Sequence, residues 1–299
     1  MLRATHTFYI PANQSIMAEW EYDDFDDFDD GLDEFGIGYG LPMADIQTTP
    51  LHTAARQRNI SQVESYLSHG ANVNTCDGQG RNVLQVAILQ ENNEGIIRLL
   101  LRYGADVIGC SGPHGNALVH AVRANSSIIQ LLLDHIASQG SDYHTALESA
   151  LYYASETGQL QSVRILLARG ANPNARGPMY GSAIQAAAHY GSEEIVQTLL
   201  DAGAQVNAQG GYHGNALQAA ARYGQLHLVQ MLLKAGADVN AQGGVYRNAL
   251  TAATIQKHIE VANILLQAGA KDDMSEHEGL SDVNMPADIG LDLFEYVHY

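Results

Sequence analysis

The stretches SAIQAAAHYG at 182–191, NALQAAARYG at 215–224 and NALTAATIQK at 248–257 are one phrase written three times. Looser copies open at 49 (TPLHTAARQR), 82 (NVLQVAILQE), 116 (NALVHAVRAN) and 149 (SALYYASETG). The starts are 33 or 34 residues apart, the regularity of a repeat architecture. Each copy opens on Thr, Asn or Ser, residues that cap helix N-termini, and its apolar and Ala positions form one face of a short helix. Six of the seven carry a second block: VESYLSHGANVN, IIRLLLRYGADV, VRILLARGANPN, VQTLLDAGAQVN, VQMLLKAGADVN and ANILLQAGAKD. Its Leu pair lies on a second short helix. Gly70, Gly104, Gly170, Gly203, Gly236 and Gly269 stand where that helix stops in a left-handed cap. Isolated helices below about 12–15 residues are marginal in water, so each pair must bury its face against the next. The expected fold is all-α, a solenoid of about seven helix-turn-helix units joined by hairpin loops.

TPLH with its Ala pair, followed by the LLxxGAxxN ending, resembles the ankyrin repeat over residues 49–270. The linker NAQGGYHGNALQAA at 207–220 is similar to a variant familiar from filamentous fungi, whose arrays stand alone or behind NACHT-type domains. Two departures stand out. The unit at 116–148 reads LLLDHIASQGSD in place of the LLxxGAxxN ending, so its second helix or exit loop should be irregular. The His that the family bonds to neighbouring loop backbone survives only as His52; the other units carry Gln85, Val119, Tyr152, Gln185, Gln218 and Thr251. Gln can make the same bond, whereas Val119 and Thr251 put it in doubt.

The resemblance implies a concave face of hairpin tips and first helices that binds proteins. The positions pointing into it are Arg56 and Gln57, Leu89 and Gln90, Arg123 and Ala124, Glu156 and Thr157, His189 and Tyr190, Arg222 and Tyr223, Ile255 and Gln256. The tips add His114, Met179, Tyr180, Tyr212, His213, Tyr246 and Arg247. The partner-binding candidates are Arg123, Tyr180, His189, Tyr190, Tyr212, His213, Arg222, Tyr223, Tyr246 and Arg247, rich in the types enriched at interface hot spots. The competing reading is that the tip tyrosines pack on the next hairpin.

No catalytic, cofactor or metal residues are expected. The 13 His form no HExxH and no Cys/His cluster, and no GxSxG elbow or GxxxxGKS loop occurs. Cys76 and Cys110 occupy one position in adjacent units. Packed helix layers lie ~8–10 Å apart and a disulfide needs Cα atoms within roughly 7 Å, so two free thiols in a reducing compartment are expected.

The chain has 299 residues and a net charge of −18. Residues 1–48 carry 11 acidic groups and one basic, residues 271–299 carry 8 and one, and the array between them 14 and 13. The charge therefore sits at two acidic ends expected to be of low order. The first reading of both ends is solvated solubility tails, the C-terminal one at 271–299 partly capping the last unit. The competing reading is docking, since in EWEYDDFDDFDDGLDEF Phe25, Phe28, Leu32 and Phe35 recur three and four apart, the pattern of a segment that folds on a partner. A further expectation is that this segment folds back on the Arg and Tyr positions of the hairpin and first-helix face in the last three units. No apolar run approaches the ~18–20 residues that span a bilayer, and the charge disfavours bare nucleic acid.

The expected function is a monomeric, intracellular (cytoplasmic or nuclear), non-catalytic adaptor for a protein partner. The alternatives are an inhibitor of a transcription factor or other basic partner acting through the acidic ends, and the substrate-adaptor part of a larger enzyme or NACHT-type receptor system. No DSGxxS, SOCS-type or DHHC motif accompanies them.

Overall fold

The computed structural model describes residues 48–90, 92–109, 115–139 and 143–271. The acidic ends, with Phe25, Phe28, Leu32 and Phe35, lie outside them, as does His114. The described residues form seven helix pairs: α1 Pro50–Arg56 with α2 Ile60–Ser68, α3 Val83–Ile88 with α4 Glu94–Arg102, α5 Ala117–Ala124 with α6 Ser126–Gln139, and α7 His144–Glu156 with α8 Leu160–Ala168. Then follow α9 Ala183–Tyr190 with α10 Glu193–Asp201, α11 Ala216–Arg222 with α12 Leu226–Lys234, and α13 Ala249–Ile255 with α14 Ile259–Gln267. Strand pairing among them is confined to a two-residue hairpin, β1 Arg176–Gly177 with β2 Gly181–Ser182, and to single bridges such as Gly210 with Gly214.

First helices stack on first helices from α1 through α13, and second helices follow, α6 on α8 and α12 on α14 among them. The Ala pairs make this possible. Ala54, Ala55, Ala187, Ala188, Ala220 and Ala221 are buried between layers, with Leu84, Leu118, Leu147 and Ile184 filling the spaces.

Polar residues then stitch each unit to the next. The fourth position of the unit reaches the following loop: His52 Nε2 lies 3.1 Å from the Arg81 carbonyl, Gln85 Nε2 donates to Gly115 O at 2.8 Å, and Gln185 Nε2 to Gly214 O at 2.9 Å. Gln85 and Gln185 also close capping boxes with Asn82 and Ser182. Tyr152 fills the same slot with the opposite polarity, accepting from the Tyr180 N–H at 3.0 Å, so three residue types tie a unit to the following loop. Val119 has no group to offer, and the Thr251 side chain makes no such bond among the described residues. The Asn that ends LLxxGAxxN does parallel work. Asn207 donates to Gly236 O and accepts from Asp238 N, at 3.0 and 2.8 Å; Asn240 does the same with Gly269 and Lys271.

Two kinds of glycine hold the backbone. Gly70, Gly104, Gly170, Gly203, Gly236 and Gly269 have φ of 80–94°, and a Cβ on any of them would meet open space. Left-handed conformation alone selects glycine there. Gly211 and Gly244 differ, because a Cβ would overlap the backbone of the preceding hairpin at Tyr180 and His213. The second Gly of the QGG linker thus lets successive hairpins touch.

The irregular third unit appears as expected, and with it a correction. Helix α6 runs 14 residues where most second helices run nine. Ser149, read as an opening cap, lies inside α7, which begins at His144; its hydroxyl bonds back to Thr145 O at 2.9 Å. Ala146, Leu147, Ala150 and Leu151 continue one apolar face, so the helix has reason to start early. The ion pair of Arg169 with Asp134, at 2.7 Å, ties this unit to the next where the GAxxN asparagine is missing. A second correction concerns the thiols: Cys76 is disulfide-bonded, while Cys110, the only other cysteine, lies outside the described residues. Helix-layer spacing was the wrong measure, because Cys76 sits in a loop bridge to Asn82 and Asn74 and Asn82 bond directly to Asp106 of the next loop.

Asn207→Ala should cost about 1–2 kcal/mol for its two lost bonds and lower the urea midpoint; an unchanged midpoint would mean that the stitching contributes nothing net.

Candidate functional site

The ends of the first helices and the hairpins before them present one continuous surface over the last three units. Its centre is Tyr180, whose ring stacks on His189 with centroids 4.1 Å apart and on His213 at 5.8 Å. The two imidazoles are hydrogen-bonded to each other, Nδ1 of His189 to Nε2 of His213 at 2.9 Å. Tyr190 and Tyr223 meet His189 edge-on at 5.6 and 4.9 Å. Arg222 extends the cluster: its guanidinium lies 5.2–5.3 Å from the ring centroids of Tyr212, Tyr223 and Tyr246, a cation–π clip joining two hairpins to one helix end.

Eight of the ten expected residues are therefore in one cluster. Arg123 stands to one side, where it bonds the Tyr153 hydroxyl of α7. Arg247 is exposed on the last hairpin with a φ of 66°, and its carbonyl accepts from Gly243 N and Gln218 Nε2. His213 departs from its expected role. It is fully buried, so it forms the floor of the surface and is no partner contact. Burial first, and then the charges of His189 and Arg222, push its pKa down to about 3, and its Nδ1 has no hydrogen-bond partner. Tyr190 and Tyr212 remain 58% and 39% exposed, so packing on the neighbouring hairpin accounts for only part of them.

Sequence reading missed two features. Met179, Tyr212 and Val245 stand one period apart and are all exposed. Their backbones form a ladder, Tyr212 N donating to Met179 O at 3.0 Å and Val245 N to Tyr212 O at 3.2 Å. Counting 33 residues from Tyr212 would have found Val245. The second is Glu156, at the end of α7, placed in the groove by its position but not singled out. It is half-buried, and burial alone pushes its carboxyl up to about 7. Tyr153, beside it, occupies a position that is Ala in the three units that follow.

The ordinary value for Glu156 is 4.5. Between that value and about 7 the native state holds a proton that the unfolded chain has released, so stability falls as pH rises through that window. Glu156→Gln should be near neutral at pH ~4.5 and should stabilise the fold above pH ~7 by on the order of 1–2 kcal/mol, read from urea unfolding at both. An equal gain at the two values would show that the buried charge is not the cause.

A family model described as "Ankyrin repeats (3 copies)" matches residues 36–109, 108–177 and 184–276. Among curated proteins, the nuclear factor NF-kappa-B p105 subunit of Gallus gallus is 32% identical over 130 residues, and the B-cell lymphoma 3 protein homolog of Mus musculus is 33% identical over 130. Each match covers 42% of this chain but only 13% and 29% of those proteins. Among solved structures, the ankyrin repeat domain of Bcl-3, a member of the IkappaB family, has a TM-score of 0.59 at 28% identity, covering 74% of this chain and 99% of that one. The human ASB11 ankyrin repeat domain has a TM-score of 0.62 at 26% identity, covering 75% and 100%. Matching models over most of its length, the unit-to-unit stitching and these folds agree that the chain belongs to the ankyrin repeat family.

Proposed function

We propose that this protein is a non-catalytic interaction module that holds a protein partner on the hairpin and first-helix face of its last three units. The continuous cluster of Tyr180, His189, Tyr190, Tyr212, Arg222, Tyr223 and Tyr246 carries the reading. Its internal contacts pre-order the rings, so a partner meets a surface that loses little side-chain entropy on binding. Exposed Met179, Tyr212 and Val245 add an apolar stripe beside it. Arg123 and Arg247 belong to the same reading as flanking charges. The array works as a monomer inside the cell in this proposal, and its QGG linkers support the filamentous-fungal unit type.

A second reading, an inhibitor of a transcription factor or other basic partner, draws support from likeness to the nuclear factor NF-kappa-B p105 subunit and to Bcl-3. In it the acidic ends, with Phe25, Phe28, Leu32 and Phe35, dock on the basic partner.

Affinity capture with the full chain separates the two. Met179→Ser, Tyr212→Ser and Val245→Ser together should weaken capture by at least about tenfold while the protein stays folded. Capture that survives this triple variant and disappears when residues 1–48 are deleted would overturn the first reading in favour of the second.

A further inference from the structure

The hairpins and first helices of the last three units carry cations but no carboxylate. From Ala202 to Ala237 the chain has no Asp or Glu at all, and neither have residues 171–192 and 239–259. The acids of these units, Glu193, Glu194, Asp201, Asp238 and Glu260, lie on the second helices or in the loop after one. Glu156 marks the boundary, because it holds on α7 the position that His189, Arg222 and Ile255 hold in the units that follow. On the acid-free face stand Arg222 at the end of α11, Arg247 on the last hairpin and Lys257 just beyond α13, the last two exposed.

Arg222 is the fixed centre of that charge. Its guanidinium lies over the rings of Tyr212, Tyr223 and Tyr246 at 5.2–5.3 Å, so two hairpins and a helix end hold it in place. No carboxylate pairs with it among the described residues. Ring faces attract a cation without neutralising its charge. A guanidinium also carries five N–H donors, more than the Tyr212 hydroxyl that it bonds can use. The exposed Tyr190 and Tyr212 add phenol O–H groups, which can donate as well. An incoming acid therefore meets a preplaced cation and hydroxyl donors, whereas an incoming base meets no carboxylate. Beside them runs the exposed stripe of Met179, Tyr212 and Val245.

We infer that the segment seated on this face is acidic: a stretch of the partner protein whose carboxylates meet Arg222 and Arg247 and whose apolar side chains cover Met179 and Val245. Charge supplies steering and register, and the stripe supplies burial. This assignment rests on the hairpin and first-helix face being the interface, and it names the chemistry that the partner brings.

The probes are two dye-labelled, end-blocked octapeptides, one of alternating leucine and glutamate and its neutral twin of alternating leucine and glutamine. Each is titrated into the full chain and followed by fluorescence anisotropy. At ~0.05 M salt the glutamate peptide should bind at least about tenfold tighter than the glutamine peptide, and the gap should close at ~0.5 M. Arg222→Gln should lose about tenfold in affinity for the glutamate peptide. Because Arg222 also clips two hairpins together, a second pair of variants separates charge from structure. Met179→Glu, on an exposed tip, should weaken the glutamate peptide at least about threefold, while Met179→Gln leaves it unchanged. Equal binding of the two peptides, or equal affinity of the two Met179 variants for the glutamate peptide, would overturn the assignment. So would binding that appears only when residues 1–48 are deleted, because the chain's own acidic end is then the occupant. A glutamate peptide that fails while capture is still lost in the Met179/Tyr212/Val245 triple variant removes the acidic chemistry alone. A glutamate peptide that binds while the triple variant captures normally removes the interface reading and leaves the anion-binding face.

Discussion

Most helices in this protein are six to nine residues long, too short to persist in water by their own hydrogen bonds. Everything therefore depends on how one unit grips the next. Apolar contact between Ala-lined faces supplies the bulk of the attraction but is non-directional, and alone it would tolerate sliding. The hydrogen bonds from the fourth position and from the terminal Asn remove that freedom, because a side chain reaching a backbone carbonyl about 30 residues on can do so in only one register. Register then places the hairpins, and the hairpins place the tyrosines.

The same constraint explains why the surface chemistry is concentrated where it is. In the last three units the stitching runs without interruption, the hairpins approach to backbone contact at Gly211 and Gly244, and the rings of adjacent tips fall within stacking distance. Arg222 works within that arrangement as both a structural clip and a surface group. At the third unit the missing GAxxN ending leaves a longer α6, an early α7 and an ion pair in place of an asparagine. The unit that follows carries Tyr152 and Tyr153 in slots that hold Gln and Ala in the next two units. Glu156, half-buried at the end of the same helix, has its carboxyl pushed up by burial.

How much was legible beforehand varied with the range of the interaction. The period, the helix pairs, the capping glycines and the substitution of Gln for His could all be read from local residue types, since each answers a local need. Val245 is legible too, 33 residues on from Tyr212 and 66 from Met179. The start of α7 was misread because a Ser at the expected phase looks like a cap even when a helix already runs through it. Cys76 was misread because the spacing of helices was applied to a loop.

By itself the sequence determined the repeat, the family and the list of side chains on the hairpin and first-helix face, because these follow from periodicity and residue type. Only the tertiary structure decided what those side chains do. His213 and Tyr212 are neighbours on one hairpin tip, yet one is buried as a floor and the other stands exposed. Arg123 and Arg222 hold equivalent positions, but one bonds a phenol and the other is clasped by three rings. Glu156 resembles any groove residue until burial sets it apart. Burial, stacking and pairing depend on atoms brought together from different units, and spacing along the chain does not record them.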